Sequence, residues 1–298
     1  MSEAITSEAT SVEVVYAAIE EAAGLRNVPC SPEKVVPILS AFGPFEGGVI
    51  FSSTAGQGDG ADVDLTIQVP KAIGDPYTHA VSSGLLPETD HPVASLLADL
   101  QERCSVDEVL IDFGVVSGFN KLYVHVPRDP QTVSQLAAVP SMPRAVAENA
   151  DFFARHGLDA VAMIAIDYRR RTTNLYFHLP TGIEREIIVS MLRELGLPEA
   201  DEQLLESARK SFRVYFTLGW DSSKIERISF ARSLDLPLIK DRVEPEFARW
   251  VTNTPYTYPG DRFSISIVKW TPEGEQFNAG SYFQFGPLQW EVLNKILR

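Results

Sequence analysis

Hydrophobic and polar residues alternate with a period of two in several separate segments of this chain. In residues 211–219, SFRVYFTLG, apolar side chains occupy one face and polar or phenolic side chains the other. The same alternation recurs in residues 62–69, 119–126 and 169–178. Because successive side chains of a strand point to opposite faces, each segment is predicted to be a β-strand with one apolar and one polar face. If helices cover the apolar faces, the polar faces enclose a wet interior.

The strands are predicted to form five hairpins in sequence. The breaks within them, such as TAGQGDGAD and GWDSSK, carry the Gly, Asp and Ser residues that turns require. The predicted pairs are 46–53 with 62–70, 106–115 with 118–127, 160–168 with 171–179, 211–219 with 224–232, and 262–270 with 276–285. The gaps between hairpins are predicted to be helical, most clearly at 13–23, 91–103, 143–156 and 184–195, with a last helix at 286–297.

The order of these elements favours an α+β fold, a ten-stranded antiparallel β-barrel of five helix–hairpin–helix repeats with the helices outside. A parallel barrel is disfavoured because it would need a helix after every strand, whereas here helices follow every second strand. Ten strands enclose a wider interior than the eight whose side chains fill a small barrel, so a ligand chamber is expected. No linker or low-complexity segment interrupts the pattern, and one domain over residues 1–298 is expected.

Composition narrows the partners. Asp and Glu outnumber Lys and Arg by 40 to 26, and this charge of −14 makes nucleic acid an unfavourable partner. Cys30 and Cys104 form no CxxC motif, which fits a reducing compartment. No run approaches the roughly 20 apolar residues that span a bilayer, so no membrane partner is expected. The acidic start lacks the features of a signal peptide, and a cytoplasmic location is expected.

The polar faces carry cations and phenols at positions that would point into the chamber. Several cationic donors around one cavity suit a diphosphate, because charge-assisted hydrogen bonds to phosphoryl oxygens are about twice as strong as neutral ones. For any one of these cations the alternative is a solvated strand end. The candidates are Lys121, Arg170, Arg213 and Arg227, joined by Asn174, Tyr123, Tyr176, Tyr215 and Tyr282.

Two acids, Asp64 and Asp112, share the inward positions. A buried carboxylate needs a cationic partner or a metal. Asp64, with Thr66 one inward position further on, could contribute to a water-rich Mg²⁺ shell or could form a salt bridge to an interior cation such as Arg213, and the sequence leaves both open. His125 and His178 also face inward, but no HExxH, GxSxG or GxGxxG motif is present, which disfavours zinc, hydrolase and dinucleotide chemistry.

Long ordered segments of the chain resemble one known family. They are GDPY (74–77), DHPV (90–93), GFNKLY (118–123), PSMPRAVAENADFFARHGLD (140–159), DYRRRTTNLYF (167–177), YFTLGWDSSKIER (215–227) and GSYFQ (280–284). Over nearly its whole length the chain resembles the soluble aromatic prenyltransferases of the ABBA type, the NphB and CloQ group, whose barrel consists of repeated αββα units.

The resemblance implies roles for individual residues. The diphosphate would be bound by Lys121, Arg170, Asn174, Tyr215 and Arg227, with Lys121, Arg227, Tyr123 and Tyr215 directly catalytic. The prenyl and aromatic pocket would include Tyr123, Ala162, Tyr176, His178, Arg213 and Tyr282. Three of these depart from the family pattern near the acceptor, since Ala162 replaces a glutamine, and Arg213 and His178 each replace a serine. Asp64 stands at the family's Mg²⁺ position, but many relatives work without the metal, so Mg²⁺ is permitted and not required.

The resemblance also implies a reaction. A dimethylallyl or geranyl group would pass from its diphosphate to an electron-rich aromatic acceptor, such as a hydroxynaphthalene or naphthoquinone, by Friedel–Crafts-type substitution. The expected partners are a prenyl diphosphate and an aromatic small molecule, with no nucleic acid and no membrane, and the expected state is a monomer. The alternatives are a non-catalytic carrier of hydrophobic aromatic ligands, which would not need four inward cations, and an isoprenyl diphosphate phosphatase or cyclase, which would need no acceptor.

Overall fold

The computed structural model describes residues 9–296, so residues 1–8, on which the expectation of no signal peptide partly depends, lie outside it, as does residue 297 at the end of the last predicted helix. The strands of the described part are β1 (Val49–Thr54), β2 (Val63–Gln68), β3 (Glu108–Gly114), β4 (Gly118–His125), β5 (Gln131–Thr132), β6 (Ala160–Asp167), β7 (Thr172–His178), β8 (Arg213–Gly219), β9 (Ile225–Ser233), β10 (Ser264–Thr271) and β11 (Gly274–Gln284).

The α-helices are α1 (Val12–Leu25), α2 (Pro32–Phe42), α3 (Pro76–Ser82), α4 (Leu96–Arg103), α5 (Val133–Ala137), α6 (Arg144–Glu148), α7 (Ala150–Arg155), α8 (Arg185–Glu194), α9 (Glu202–Arg209), α10 (Leu236–Ile239), α11 (Pro245–Asn253) and α12 (Pro287–Ile296). Short 3₁₀ helices cover Gly58–Gly60, Lys71–Ile73 and Pro92–Ala94. Within residues 9–296, no helix combines the length and the hydropathy needed to cross a membrane.

Ten of the strands close into an antiparallel barrel. The order around it is β4-β3-β2-β1-β11-β10-β9-β8-β7-β6, and β6 pairs back with β4 to complete the ring. β5 adds a two-residue pairing to the start of β6. The predicted ten-stranded antiparallel barrel with external helices is therefore confirmed, and the five hairpins fall within a few residues of their predicted bounds.

The main apolar core lies between the outer face of the barrel and the helices. Phe153 of α7, for example, packs edge-on against Phe216 of β8 with 5.2 Å between ring centroids, and stacks on Phe177 of β7 at 5.5 Å. All three side chains are almost completely buried. Because this outer layer holds most of the apolar side chains, the inner face of the barrel is left for polar ones.

Some helices differ from the prediction. The segment predicted as one helix over 143–156 forms two, α6 and α7, which meet at Asn149. The Asn149 amide donates to the carbonyls of Ala145 and Ser223, and such side-chain bonds to the backbone compete with a continuous helix. The segment 91–103 likewise divides into a 3₁₀ turn and α4.

The barrel has two chemically different ends. The five hairpin turns, at 55–62, 115–117, 168–171, 220–224 and 272–273, all lie at one end, which we call the turn end. Helix α12 contributes Gln289, Val292 and Leu293 to the lining of the interior, and we call its end of the barrel the helix end. A ligand in the barrel therefore meets polar turns on one side and a largely apolar helix on the other.

Candidate active site

A cavity of about 500 Å³ occupies the interior of the barrel and extends from the turn end to α12. Its size is in the usual range for small-molecule sites. Most of the side chains singled out in the sequence line it together, namely Asp64, Thr66, Lys121, Tyr123, His125, Arg170, Asn174, Tyr176, Arg213, Tyr215, Arg227 and Tyr282. The alternation of polar and apolar positions thus corresponds to the inner and outer faces of the barrel.

Two predicted pocket residues, Ala162 and His178, are not part of this lining. Ala162 sits in a bulge of β6, where Val161 pairs with Phe177 but Met163 pairs with Tyr176, so the extra residue shifts the inward register and Met163 lines the cavity instead. His178 pairs with Arg213 at the end of β7, one inward position beyond Tyr176. Burial, together with nearby Arg213, lowers the pKa of His178 to about 3, so its imidazole is neutral at physiological pH.

Apart from Arg169, which donates to Asn120, four cationic side chains line the part of the cavity nearer the turn end: Lys121, Arg170, Arg227 and Lys269. Within the described chain, Lys121 has a carboxylate partner, Asp112, at 3.7 Å, and no acid lies within 4.0 Å of the other three. Arg227 donates to the Thr217 hydroxyl at 3.0 Å, while its buried Nε has no partner. An uncompensated group of cations in a cavity is a site for an anion.

Lys269 on β10 was not predicted. It is fully inside the cavity, and burial lowers its pKa well below the ordinary lysine value, with further lowering by Arg227 and Lys121. Asp64 acts in the opposite direction but does not outweigh them. The lysine is therefore held in an environment that disfavours its own charge until an anion arrives.

Lys121 and Asp112 form the compensated part of the site. Burial disfavours the charged form of Lys121, but Asp112 and the other acidic groups around it together outweigh burial, and the pKa of Lys121 is raised well above its usual value. Burial raises the pKa of Asp112, although Lys121 and a hydrogen bond from the Thr66 hydroxyl, 2.8 Å, favour its ionised form. Lys121 thus remains charged, and Thr66 supports Asp112 rather than Asp64.

The surroundings of Asp64 disfavour the charged form of its carboxyl group. Burial and the neighbouring charge of Asp112 raise its pKa to about 7. Its carboxylate accepts a hydrogen bond from the Asn120 amide at 3.1 Å, and among the described residues no cation lies within 4.0 Å of it. The expected alternative of a salt bridge between Asp64 and Arg213 is therefore wrong in this structure; the interior ion pair belongs to Asp112.

The surroundings of Asp64 can be tested against a magnesium ion. In residues 9–296 no group of three or more His, Cys, Asp or Glu side chains is arranged to hold a metal. Mg²⁺ in phosphate sites, however, commonly takes one or two carboxylates and completes its shell with substrate phosphates and water. A single carboxylate without a cationic partner fits that arrangement, and does not fit a cage made by the protein alone.

Hydrogen bonds at the turn end hold the mouth of the cavity in place. Asn120 accepts from Arg169 at 3.0 Å while its amide donates to Asp64, which links the 168–171 turn to β2. Asp167 accepts from the backbone N–H groups of Arg169 and Arg170, at 3.1 and 2.8 Å. These bonds fix the turn that carries Arg170. Asn120 is the extra residue of a bulge in β4, Asp167 ends β6, and Arg169 lies in the turn. None of the three was predicted as a site residue, because regular alternation does not indicate direction at bulges, strand ends and turns.

Three tyrosines form a phenolic wall halfway down the cavity. Tyr176 stacks on Tyr215 with 4.4 Å between ring centroids, and Tyr123 meets Tyr176 edge-on at 6.3 Å. Burial raises the pKa of both Tyr123 and Tyr176. Their hydroxyls therefore remain protonated and neutral, and their π-faces border the space next to the cations.

A closed antiparallel barrel with an internal anion site beside an aromatic wall defines a protein that binds a small anion together with an apolar or aromatic group. The family model described as aromatic prenyltransferase Orf2 matches residues 10–285. The chain belongs to this aromatic prenyltransferase family, and it is an aromatic prenyltransferase. This assignment sets aside the alternative of a non-catalytic carrier.

Individual relatives agree with the family. The furaquinocin biosynthesis prenyltransferase of Streptomyces sp. (strain KO-3988) is 40% identical, over 93% of this chain and 92% of that protein. The flaviolin linalyltransferase of Streptomyces virginiae is 38% identical, over 91% of this chain and 92% of that protein. The solved structure of a 6-dimethylallyl tryptophan synthase superposes with a TM-score of 0.61 at 10% identity, over 93% of this chain and 97% of that one, which shows the shared barrel fold.

Proposed function

We propose that this enzyme transfers a dimethylallyl or geranyl group from its diphosphate to an electron-rich aromatic acceptor, a hydroxynaphthalene or naphthoquinone, inside the barrel. The observation that carries the proposal is the group of cations without carboxylate partners, Arg170, Arg227 and Lys269, beside Lys121. The diphosphate would lie among these four side chains with Asn174, and its prenyl chain would extend past the tyrosines toward the helix end.

In the proposed mechanism the bond between the first prenyl carbon and the diphosphate oxygen breaks, and its electron pair stays on the diphosphate. The cations are in place before the reaction and stabilise the charge that develops on this leaving group. A ring carbon of the acceptor then attacks the allylic cation, and the ring loses a proton to the released diphosphate or to solvent. No covalent intermediate with the protein is needed.

The phenolic wall has a separate role in this mechanism. Tyr123 and Tyr176 are neutral, and their ring faces, together with that of Tyr215, can stabilise a cation through its attraction to the π-electrons. They also occupy space that water would otherwise take, which limits hydrolysis of the allylic cation. Tyr215 additionally borders the diphosphate level, because its strand neighbours Thr217 and Arg227 lie there.

Mg²⁺ is proposed as a partner of the donor and not as a fixed part of the enzyme. Asp64 would hold it, and the metal would neutralise diphosphate charge when bound.

We also propose that the enzyme is located in the cytoplasm and is a monomer.

The proposed function can be tested with purified enzyme, dimethylallyl or geranyl diphosphate, and 1,3-dihydroxynaphthalene. The expected result is release of one diphosphate per prenylated acceptor, with the preferred donor identified by comparing the two. Formation of prenyl alcohol or of a cyclic hydrocarbon at the same rate without acceptor would instead indicate a phosphatase or cyclase.

Variants locate the site in the same assay. Lys121→Ala and Arg227→Ala should each lower prenyl transfer by about 100-fold or more, because a lost charged hydrogen bond costs roughly 1.5–3 kcal/mol and more where charge develops during the reaction. Near-normal turnover of both variants, with normal circular dichroism, would remove these two residues from the diphosphate site.

A further inference from the structure

Arg213 lies in the cavity but away from the other cations. Arg213 is the first residue of β8, and Thr217, which pairs with Arg227, lies four positions further along the same strand. At roughly 3.3 Å per residue, the Cα atoms of Arg213 and Thr217 are about 13 Å apart. The stacked pair Tyr176 and Tyr215 lies between the two levels. Arg213 therefore faces the helix-end half of the cavity, beyond the proposed diphosphate position.

The guanidinium of Arg213 has no acidic partner among residues 9–296, and its buried Nε has no hydrogen-bond partner there. It lies over the rings of Tyr176 and Phe212, at 6.0 and 5.6 Å from their centroids. The acids in the lining, Asp62, Asp64 and Asp167, are in or next to the turn-end half. A buried cation without a counter-charge is costly, so its surroundings favour an anion supplied from outside.

The other groups around Arg213 supply no negative charge. Its strand neighbours are His178, which is neutral, and Ala231. Tyr282 on β11 has its pKa raised to about 12 by burial, so its phenol is also neutral. Glu108 contacts His125 at 3.2 Å and forms no ion pair with Arg213 within 4.0 Å. The carboxylate or phenolate must therefore come with the ligand.

We propose that Arg213 selects aromatic acceptors that carry a negatively charged oxygen group, which it binds at the helix end while the ring lies along Tyr176. This inference rests on the proposed function, because it assigns the helix-end half of the cavity to the acceptor. The planar fork of an arginine suits a carboxylate through two parallel hydrogen bonds.

The test compares two acceptors with the same ring, 1-hydroxy-2-naphthoate and 1-hydroxy-2-naphthamide, which differ in charge and scarcely in shape. Their dissociation constants are measured by calorimetry with dimethylallyl thiodiphosphate present, and their kcat/KM values with the reactive donor. The wild type should prefer the carboxylate. Arg213→Gln should reduce the carboxylate-to-amide ratio by about 10- to 100-fold, as expected for loss of a hydrogen bond to a charged group.

Two further variants make the test specific. Arg213→Lys should retain part of the preference, because it keeps the charge. Arg193→Gln, at an exposed position of α8, makes the same change of net charge and should keep the wild-type ratio. An unchanged binding ratio in Arg213→Gln would overturn the inference and leave Arg213 as a packing partner of Tyr176 and Phe212. Absence of diphosphate release with every acceptor would instead contradict the proposed function, while the binding ratio would still decide the role of Arg213.

Discussion

Lys269 is expected to take up a proton when diphosphate binds. Its charge is opposed by burial and by Arg227, Lys121 and Arg170, and Asp64 favours it only in part. A bound diphosphate would raise the pKa of Lys269. At a pH between the pKa of the free enzyme and that of the complex, the lysine therefore takes up a proton on binding, and the affinity for diphosphate falls as pH rises. Calorimetry of inorganic diphosphate binding, in buffers with different ionisation enthalpies, should show greater proton uptake in the wild type than in Lys269→Met.

The same measurement gives the affinity. Lys269→Met should bind diphosphate about tenfold more weakly or worse at neutral pH, as expected for loss of one charged contact. Lys34→Met, at an exposed position of α2, removes the same charge outside the cavity and should behave as wild type. Equal proton uptake in Lys269→Met and wild type would mean that Asp64 or the diphosphate itself accounts for the uptake.

Asp64 is expected to make the activity depend on Mg²⁺. Because no described cation pairs with it, we expect the enzyme to lose activity in excess EDTA and to regain it with Mg²⁺, by about tenfold or more, since a metal at phosphoryl oxygens stabilises several kcal/mol of charge. Asp64→Asn, which keeps the shape that Asn120 contacts, should respond much less to the metal. Full turnover in EDTA would show that the protein alone binds the diphosphate.

The difference between Lys121 and Lys269 shows what the sequence could predict. Lys121 alternates with Leu122 and Val124 in a strand whose outer face is clearly apolar, so its direction followed from the pattern. In β10 the inward positions before Lys269 are Ile265 and Ile267, while the outward positions include serines. The polarity of this strand therefore predicts the wrong inward face. The helix-end half of the cavity is partly apolar, and there alternation no longer separates inside from outside.

At the level of elements, the bulge at Ala162 marks another limit of the sequence. A strand pattern fixes which residues share a face only while the pairing stays regular, and one extra residue reverses the direction of the remainder. The bulge depends on how β6 meets both β4 and β7 in the closed barrel. Such a non-local constraint leaves no mark in the alternation, and Met163 lines the cavity where the resemblance implied Ala162.

The connection between β1 and β2 is held by an ion pair between a buried arginine and a partly exposed glutamate. Arg26, after α1, contacts Glu244 at 2.8 Å and donates to Ser53 and to the Thr54 carbonyl, while Glu244 accepts from the Gly56 N–H. The Arg26 side chain is only 3% exposed. Arg26→Met leaves these acceptors without their donor and should lower the free energy of unfolding by roughly 2–3 kcal/mol, the cost of leaving acceptors around a buried donor site without hydrogen bonds.

Urea denaturation of Arg26→Met measures this loss directly. Arg249 and Glu246 form an exposed pair on α11, with 3.9 Å between their charged groups. Arg249→Met should therefore change stability by less than about 1 kcal/mol. A similar small effect of both substitutions would show that Arg26 does not hold the turn end of the barrel.

For the whole molecule, the barrel separates stability from catalysis, with the apolar core outside the sheet and the reactive chamber inside it. Tyr215 and Phe216, adjacent in β8, lie on opposite sides of this division. Phe216→Ala should lower the free energy of unfolding by about 3–5 kcal/mol, because Phe216 is fully buried against rings such as Phe153. Tyr215→Phe keeps the ring face but removes the hydroxyl that is proposed to contact the diphosphate, so it should change stability by less than about 1 kcal/mol while lowering kcat/KM for prenyl transfer at least tenfold. Urea denaturation and steady-state kinetics on both variants check the division, and it would be wrong if Tyr215→Phe were the more destabilising of the two or if its transfer rate were unchanged.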